Sequence, residues 1–468
     1  MTEQTAIFLS VTKWMILSSF IGVSIGIVVT LFLKILHFSE ESRSLLPFDF
    51  YYLLPIALVL TVFLVKKFAP TAEGHGTEKV IEAVHKSYGK INITVIPVKL
   101  LATVLTIFAG GSVGKEGPGA QLGAGTASFV SDLFKFRKED RKKLVICGIS
   151  AGFATVFGTP IAGAIFGVEV LVIGVIMYDV LLPSFVAGFA AFTTAQFLGI
   201  HYTYYDVRFY QTIALDYPLI LKVIIAGLFF GLVADFVITM VAKTHKLIKN
   251  APLNSYTKAF LGGVGIIVLV LIFGKEYIGL GLDDIKMSLT QNNTSLPWYA
   301  FILKTIFTSI TLGVGGSGGI ITPIFYIGAT SGHAFGSLFS IEHIQLFAAL
   351  GFVSLLSAAT NAPIAATIMA VELFGIEIAH YAALSVVISF LISGHRSIFP
   401  SQILGMRKSE ILQVNVGDEV ENSDVDLEQQ QLVKINKLKM RMLYKKRKRI
   451  RKKLNKKKSG TKIKNKKS

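Results

Sequence analysis

Residues 158–171 read GTPIAGAIFGVEVL, and residues 361–374 read NAPIAATIMAVELF. Pro160/Pro363, Ile161/Ile364, Ala162/Ala365, Ile165/Ile368, Val168/Val371 and Glu169/Glu372 match at one offset, 203 residues. Upstream, GKEGP at 114–118 faces GIITP at 319–323 at an offset of 205. Two independent motif pairs at nearly one spacing point to two halves of about 200 residues with the same plan. The first pair is apolar, the second marks Gly-rich breaks, and the stretches that carry them are too short or too Gly-rich for simple spans. Broken helices at matching places in two halves mark the mid-membrane site of repeat-built transporters.

Composition agrees with that reading. The chain has 468 residues, 52% of them hydrophobic and only 16% charged, with a mean hydropathy of +0.60. Soluble domains carry about 25% charged residues. A disordered chain, a disulfide scaffold and an ordinary cytosolic enzyme are excluded. The expected fold class is an all-α polytopic membrane protein. Apolar segments long enough to span fall at 11–36, 51–67, 92–110, 141–158, 180–199, 217–242, 257–274, 298–314, 341–358 and 378–394. Between them, 77–88, 116–132, 159–175, 319–338 and 362–376 read as half-helices. Gly22/Gly26 and Gly227/Gly231 have the spacing that lets helices pack closely, or are incidental glycines in membrane helices. The single Cys147 forms no intrachain disulfide, and the first apolar run, long enough to span, reads as retained rather than as a cleaved signal.

The net charge of +18 belongs to the end of the chain. Residues 432–468 hold 19 Lys and Arg and no carboxylate, leaving the rest near neutral. The domain reading is a membrane domain over 1–410, with halves at about 11–200 and 217–410, an acidic, polar linker at 411–431, and a basic tail at 432–468. Such a tail is drawn to anionic lipid head groups and obeys the positive-inside rule, which puts both termini in the cytoplasm of a multi-pass cell-membrane protein. Nucleic acid is the weaker alternative, since only Tyr444 interrupts the run as a stacking residue.

Three Gly-containing segments stand at expected helix starts: Gly74-His75-Gly76-Thr77, Gly114-Lys115-Glu116-Gly117-Pro118 and Gly318-Gly319-Ile320-Ile321-Thr322-Pro323. Helix N-termini offer unpaired N–H groups and partial positive charge, which suits an anion that must leave again. Glu116 is the odd residue. A carboxylate in an apolar membrane segment is costly and points to function. At a helix start it competes with an anion for the same amides, which makes it a candidate gate and proton carrier. The plainer alternative is a Glu paired with Lys115 or capping its own helix. No H-E-x-x-H pairs the nine histidines, and GGSVGK at 110–115 lacks the Ser/Thr of a phosphate loop, so neither a metal nor a cofactor is expected.

These segments resemble the CLC chloride channels and proton/chloride exchangers. GKEGP with GAQLGA at 119–124 is similar to that family's G(K/R)EGP signature. GIITP at 319–323 is similar to its GxFxP segment, GHGT at 74–77 to its first anion loop, and SGHRSIFPSQ at 393–402 to the final pore helix. The resemblance covers about residues 10–410. It implies 17 or so helices in two inverted halves, and a homodimer with one chloride pathway per subunit. It makes Glu116 the gate and places the anion between Gly117, Pro118, Gly319, Ile320 and Ile321. His75 and Phe399 stand where the family has a serine and a tyrosine that contact the anion. Both hydroxyls are missing, although an imidazole N–H at His75 can donate. Ile321 replaces the usual Phe. Val170 stands where exchangers keep an internal proton-transfer glutamate, next to Glu169.

Four readings follow. Val170 favours a chloride channel gated by Glu116. A proton/chloride exchanger is the alternative, with another proton route. A fluoride-selective member of the same fold also lacks the tyrosine, but its signature usually departs at the proline, and Pro118 is present. A scaffold with a vestigial pore would act through its basic tail.

Overall fold

The computed structural model describes residues 2–202, 217–291, 296–423 and 426–427. The basic tail lies outside them. Among the described residues there are sixteen α-helices. The first half contributes α1 (Glu3–Glu41), α2 (Leu54–Phe68), α3 (Thr77–Lys86), α4 (Val95–Phe108), α5 (Glu116–Leu133), α6 (Lys138–Phe157), α7 (Pro160–Glu169) and α8 (Tyr178–Phe197). The second contributes α9 (Tyr217–Asn250), α10 (Ser255–Phe273), α11 (Leu282–Thr290), α12 (Ala300–Gly313), α13 (Ile321–Phe339), α14 (Ile344–Thr360), α15 (Pro363–Phe374) and α16 (Ala379–Ile392). Six helical segments are long and apolar enough to cross a membrane, and five are shorter and apolar. This is a multi-pass, all-α membrane fold.

Local chemistry sets the boundaries. Pro160 and Pro363 occupy the first turns of α7 and α15, where a missing N–H costs nothing. Asn254 caps α10, its Oδ1 accepting from Thr257 N at 2.7 Å. The first span, expected at 11–36, is α1 over Glu3–Glu41, because its polar ends run on beyond the apolar layer. At about 1.5 Å per residue such a helix outreaches a hydrocarbon core of about 30 Å.

The halves interlock through reciprocal hydrogen bonds. Gly114 N donates to Gly319 O and Gly319 N to Gly114 O, both at 2.6 Å. Ser112 N donates to Thr311 Oγ1 at 3.2 Å, and Ser317 N to Thr106 Oγ1 at 3.1 Å. Glu169 accepts from Ile364 N (3.0 Å) and Ala365 N (2.8 Å) at the start of α15. Glu372 accepts from Ile161 N (3.0 Å) and Ala162 N (2.7 Å) at the start of α7. Each carboxylate satisfies two orphan N–H groups of the other half's helix and meets its positive end. Glu169 and Glu372 are thus cross-caps.

Small residues set the helix spacing. A Cβ on Gly22 or Gly26 would lie 2.5 Å or 2.8 Å from the carbonyls of Ala187 and Ala191 on α8. On Gly227 or Gly231 it would lie 3.0 Å or 2.6 Å from the Cβ of Ile388 and Ile392 on α16. The glycine pairs are packing positions.

Two expectations change at the end of the membrane domain. Residues 393–402 form turns, not a helix. Pro400 has no N–H to give, and the other groups are used elsewhere: Ile398 N donates to Ala359 O at 2.8 Å, and Glu421 N to Pro400 O at 3.1 Å. Ile403–Leu404 then pairs in parallel with Val172–Ile173. The described part of the expected linker, 411–423 and 426–427, folds back: Val414 is buried, and Glu419 pairs with Lys86 at 3.1 Å.

Both ends of the described chain reach one face. Near the start of α1, Lys13 pairs with Asp140 (3.2 Å), and Lys143 pairs with Asp179 (2.8 Å). Lys142 and Glu419 both act on His85, at the end of α3. The other end of α1 carries Glu40, with Arg43 just beyond the helix and the charges of Lys115 and Asp283 beside Glu40.

Candidate functional site

The starts of α3, α5 and α13 converge. The N–H of Gly114 and the carbonyl of Gly319 bring the second and third segments together. A Cβ on Gly117 would fall 2.0 Å from the carbonyl oxygen of His75, and one on Gly319 would fall 2.7 Å from Gly117 N. His75, Gly76, Gly117, Pro118 and Gly319 therefore form one continuous wall, whereas Gly74, in the same loop, faces open space. Gly76 has φ +84°, and its Cβ would fall 2.5 Å from Gly117 O, so only glycine closes the turn there. Ile320 precedes α13 and Ile321 opens it, both buried. Three helix starts brought together offer amides and partial positive charge of the kind an anion cradle would need.

Glu116 is inside that cradle and 1% exposed. Its Oε2 accepts from Thr322 N at 3.0 Å and from the Thr322 hydroxyl. Among the described residues no ion pair joins Lys115 to Glu116, although the charge of Lys115 acts on both Glu116 and Glu40. A carboxylate held by an amide and a hydroxyl at a helix start occupies the place an anion would take. Thr322 belongs to the quoted GIITP motif, but sequence reasoning gave it no role. Its hydroxyl matters only because the Gly114–Gly319 bridge carries α13 across Glu116.

Lys99 was also missed. It is fully buried on α4, and its Nζ donates to Ala72 O (3.1 Å) and Gly74 O (2.7 Å). Lys304, 205 residues on, is fully buried on α12 and donates to Tyr277 O (3.3 Å) and Gly279 O (2.9 Å). Each lysine clamps the loop before a short helix, and the shared offset was the available signal. Lys99 holds the loop that carries His75. Lys99→Met should leave two buried carbonyls without a donor, at a cost of about 1–3 kcal/mol each. Anion affinity should fall several-fold in flux titrations, whereas Lys304→Met should destabilise comparably and leave affinity unchanged.

Phe399 is fully buried, and its backbone is tied to its own loop through Ser397 Oγ (2.9 Å) and Gln402 N (3.1 Å). Val170 is also fully buried, at the end of α7. Gln402 joins the two regions: its Nε2 donates to Val170 O (2.6 Å) and Thr360 O (2.7 Å), while its Oε1 accepts from Asn361 Nδ2 (3.2 Å). The amide side chain organises a polar floor, and neither Phe399 nor Val170 adds a hydroxyl or a carboxylate to it.

The family model described as "Voltage gated chloride channel" matches residues 56–394. A "Chloride/fluoride channel protein" of Pseudomonas syringae pv. tomato is 35% identical over 416 residues, covering 87% of this chain and 90% of that protein. An "H(+)/Cl(-) exchange transporter ClcA" of Vibrio parahaemolyticus is 28% identical over 396 residues, covering 77% and 81%. Among solved structures, a CLC-type fluoride/proton antiporter superposes with a TM-score of 0.79 at 32% identity, covering 84% of this chain and 98% of that one. A slow cyanobacterial Cl−/H+ antiporter shares the fold, with a TM-score of 0.72 at 20% identity. The interlocked repeat, the three converging helix starts and these likenesses agree: the chain belongs to the CLC family of anion channels and proton-coupled anion exchangers.

Proposed function

We propose that the protein moves fluoride through this cradle in exchange for protons, with Glu116 as both gate and proton carrier. One observation carries the reading: the Glu116 carboxylate sits in the cradle, bound by the amide and hydroxyl of Thr322. A carboxylate bound there excludes an anion, and one that is protonated or swung away admits it. The donors at the site suit a small, strongly basic halide. The hydroxyl comes from Thr322, and the family's serine and tyrosine hydroxyls are replaced by an imidazole at His75 and a ring at Phe399. Two relatives above 30% identity carry fluoride in their descriptions, which supports the same reading.

Val170 favours a second reading, a chloride channel. A valine relays no proton, so a passive pore would need no internal acid. We also take the working unit as two copies joined along the α7–α15 face, where Ile161 and Ile364 stay exposed in the single chain. The basic tail supports a cytoplasmic position for the face reached by both ends of the described chain.

Flux from liposomes separates the readings. Under a potassium diffusion potential, fluoride efflux should exceed chloride efflux by about tenfold or more, a difference of about 1.4 kcal/mol in barrier. An outward fluoride gradient should pull protons uphill. A reversal potential fixed at the chloride value, whatever the pH gradient, would establish the channel instead.

A further inference from the structure

Proton exchange at Glu116 needs a supply on the side away from Lys115, and the family's internal position holds only Val170. Among the described residues, four carboxylates toward that side are already engaged. Glu169 and Glu372 cap helices. Glu82 pairs with Lys79 at 2.9 Å and with Lys86 at 3.6 Å. Glu419 pairs with Lys86. Glu78, in the first turn of α3, forms no ion pair with a lysine or arginine among the described residues.

Glu78 is only 20% exposed, and its Oε2 lies 4.0 Å from Nδ1 of His75, which is 16% exposed. That Nδ1 is buried and has no hydrogen-bond partner among the described residues. A shift of about 1 Å brings the pair within hydrogen-bond range. On its other side the His75 loop touches Gly117, the neighbour of Glu116. Glu78 meets the hydroxyl of Ser401 and the charge of Glu421, both in the segment that leads to the face reached by the ends of the described chain. Lys99, Lys79 and His245 face the imidazole, from α4, α3 and α9, and Lys79 and Glu82 flank the carboxyl.

We propose that Glu78 and His75 form the inner proton entry of the cradle. Glu78 takes a proton from the inner solution. Its O–H bond breaks as a bond forms at Nδ1 of His75, and the imidazole releases its Nε2 proton toward the pore. Glu116 accepts it when its carboxylate has left Thr322. The ring ends neutral in its other tautomer, and a flip restores it. Imidazole is suited to this passage because its two nitrogens exchange roles.

The inference rests on proton coupling, and the test keeps the two apart. Purified wild type, Glu78→Gln and Glu78→Asp are reconstituted, and fluoride efflux and fluoride-driven proton uptake are recorded in the same liposomes. Glu78→Gln should keep fluoride efflux within about threefold of wild type, while proton uptake falls by about a hundredfold, the range of general acid–base transfer. Glu78→Asp should restore part of the proton uptake. Unchanged coupling in Glu78→Gln would overturn the proton entry and leave the exchanger reading standing. Equal loss of fluoride and proton movement, unrelieved by aspartate, would make Glu78 structural and also overturn it. A wild type that pulls no protons would remove the exchanger reading and this one with it.

Discussion

Glu116→Gln should abolish fluoride-driven proton uptake while fluoride still passes. Glutamine keeps the size of the carboxylate but carries no proton between solutions. It also loses the charge that Thr322 binds with its amide and hydroxyl. Hydrogen bonds to a charged group are worth about 1.5–3 kcal/mol, against about 1 for a neutral pair. The seat of the side chain weakens by that difference, and fluoride competes with it more easily. Proton uptake should fall below about 1% of wild type, at the lower end of what a proton-transfer group contributes. Efflux under a diffusion potential should persist and lose its dependence on pH. A Glu116→Gln protein that still moves protons uphill would remove the carboxylate from the coupling step.

The second large effect is expected at Gly117. An added methyl would sit 2.0 Å from the carbonyl oxygen of His75 and 3.0 Å from Gly319 Cα. Both neighbours are backbone, so no side chain can turn away to make room. Overpacking of this kind costs about 1–3 kcal/mol where cores can yield. Here the three loops that yield are the cradle itself. Gly117→Ala should therefore lower fluoride flux by about a hundredfold through misplaced amides, as displacements near 1 Å do in positioned sites. The helical circular dichroism of the purified protein should stay near wild type. Gly119→Ala provides the contrast: its methyl would meet the Val156 side chain at 2.4 Å, which can shift. Near-normal flux through Gly117→Ala would mean that the loops tolerate separation.

Much of this was legible because membrane helices are punctuated by chemistry that sequence displays. The five short elements expected at 77–88, 116–132, 159–175, 319–338 and 362–376 are α3, α5, α7, α13 and α15, each opened by a Gly-rich turn or a proline. Glu116 stood out because apolar surroundings make a carboxylate conspicuous. The illegible parts depend on contacts between distant segments. Thr322 looked like one residue of a motif until the chain crossed Glu116. Ser112 and Thr311, like Thr106 and Ser317, are small hydroxyls common in any membrane helix, and only the three-dimensional pairing reveals the exchange. Lys99 and Lys304 carried the 205-residue offset, but a buried lysine held by carbonyls leaves no local pattern. Residues 393–402 were read as a helix on resemblance. Their backbone groups are instead claimed by Ala359 and the returning segment at 420–421.

The cross-caps also set a timetable for synthesis. The start of α7 is closed by Glu372, 211 residues further along, and the start of α15 by Glu169, 195 residues behind it. At a ribosomal pace of about 5–20 residues per second, the N–H groups opening α7 wait roughly 10–40 s for their acceptor. Through that interval the first half is an unclosed clasp, its helix end bare in or beside the lipid. Its safe passage then depends on whatever shelters nascent membrane segments until the second half arrives. A chain stopped between residues 200 and 370 would be left with exposed polar ends, a mark by which quality control could tell it from the finished protein.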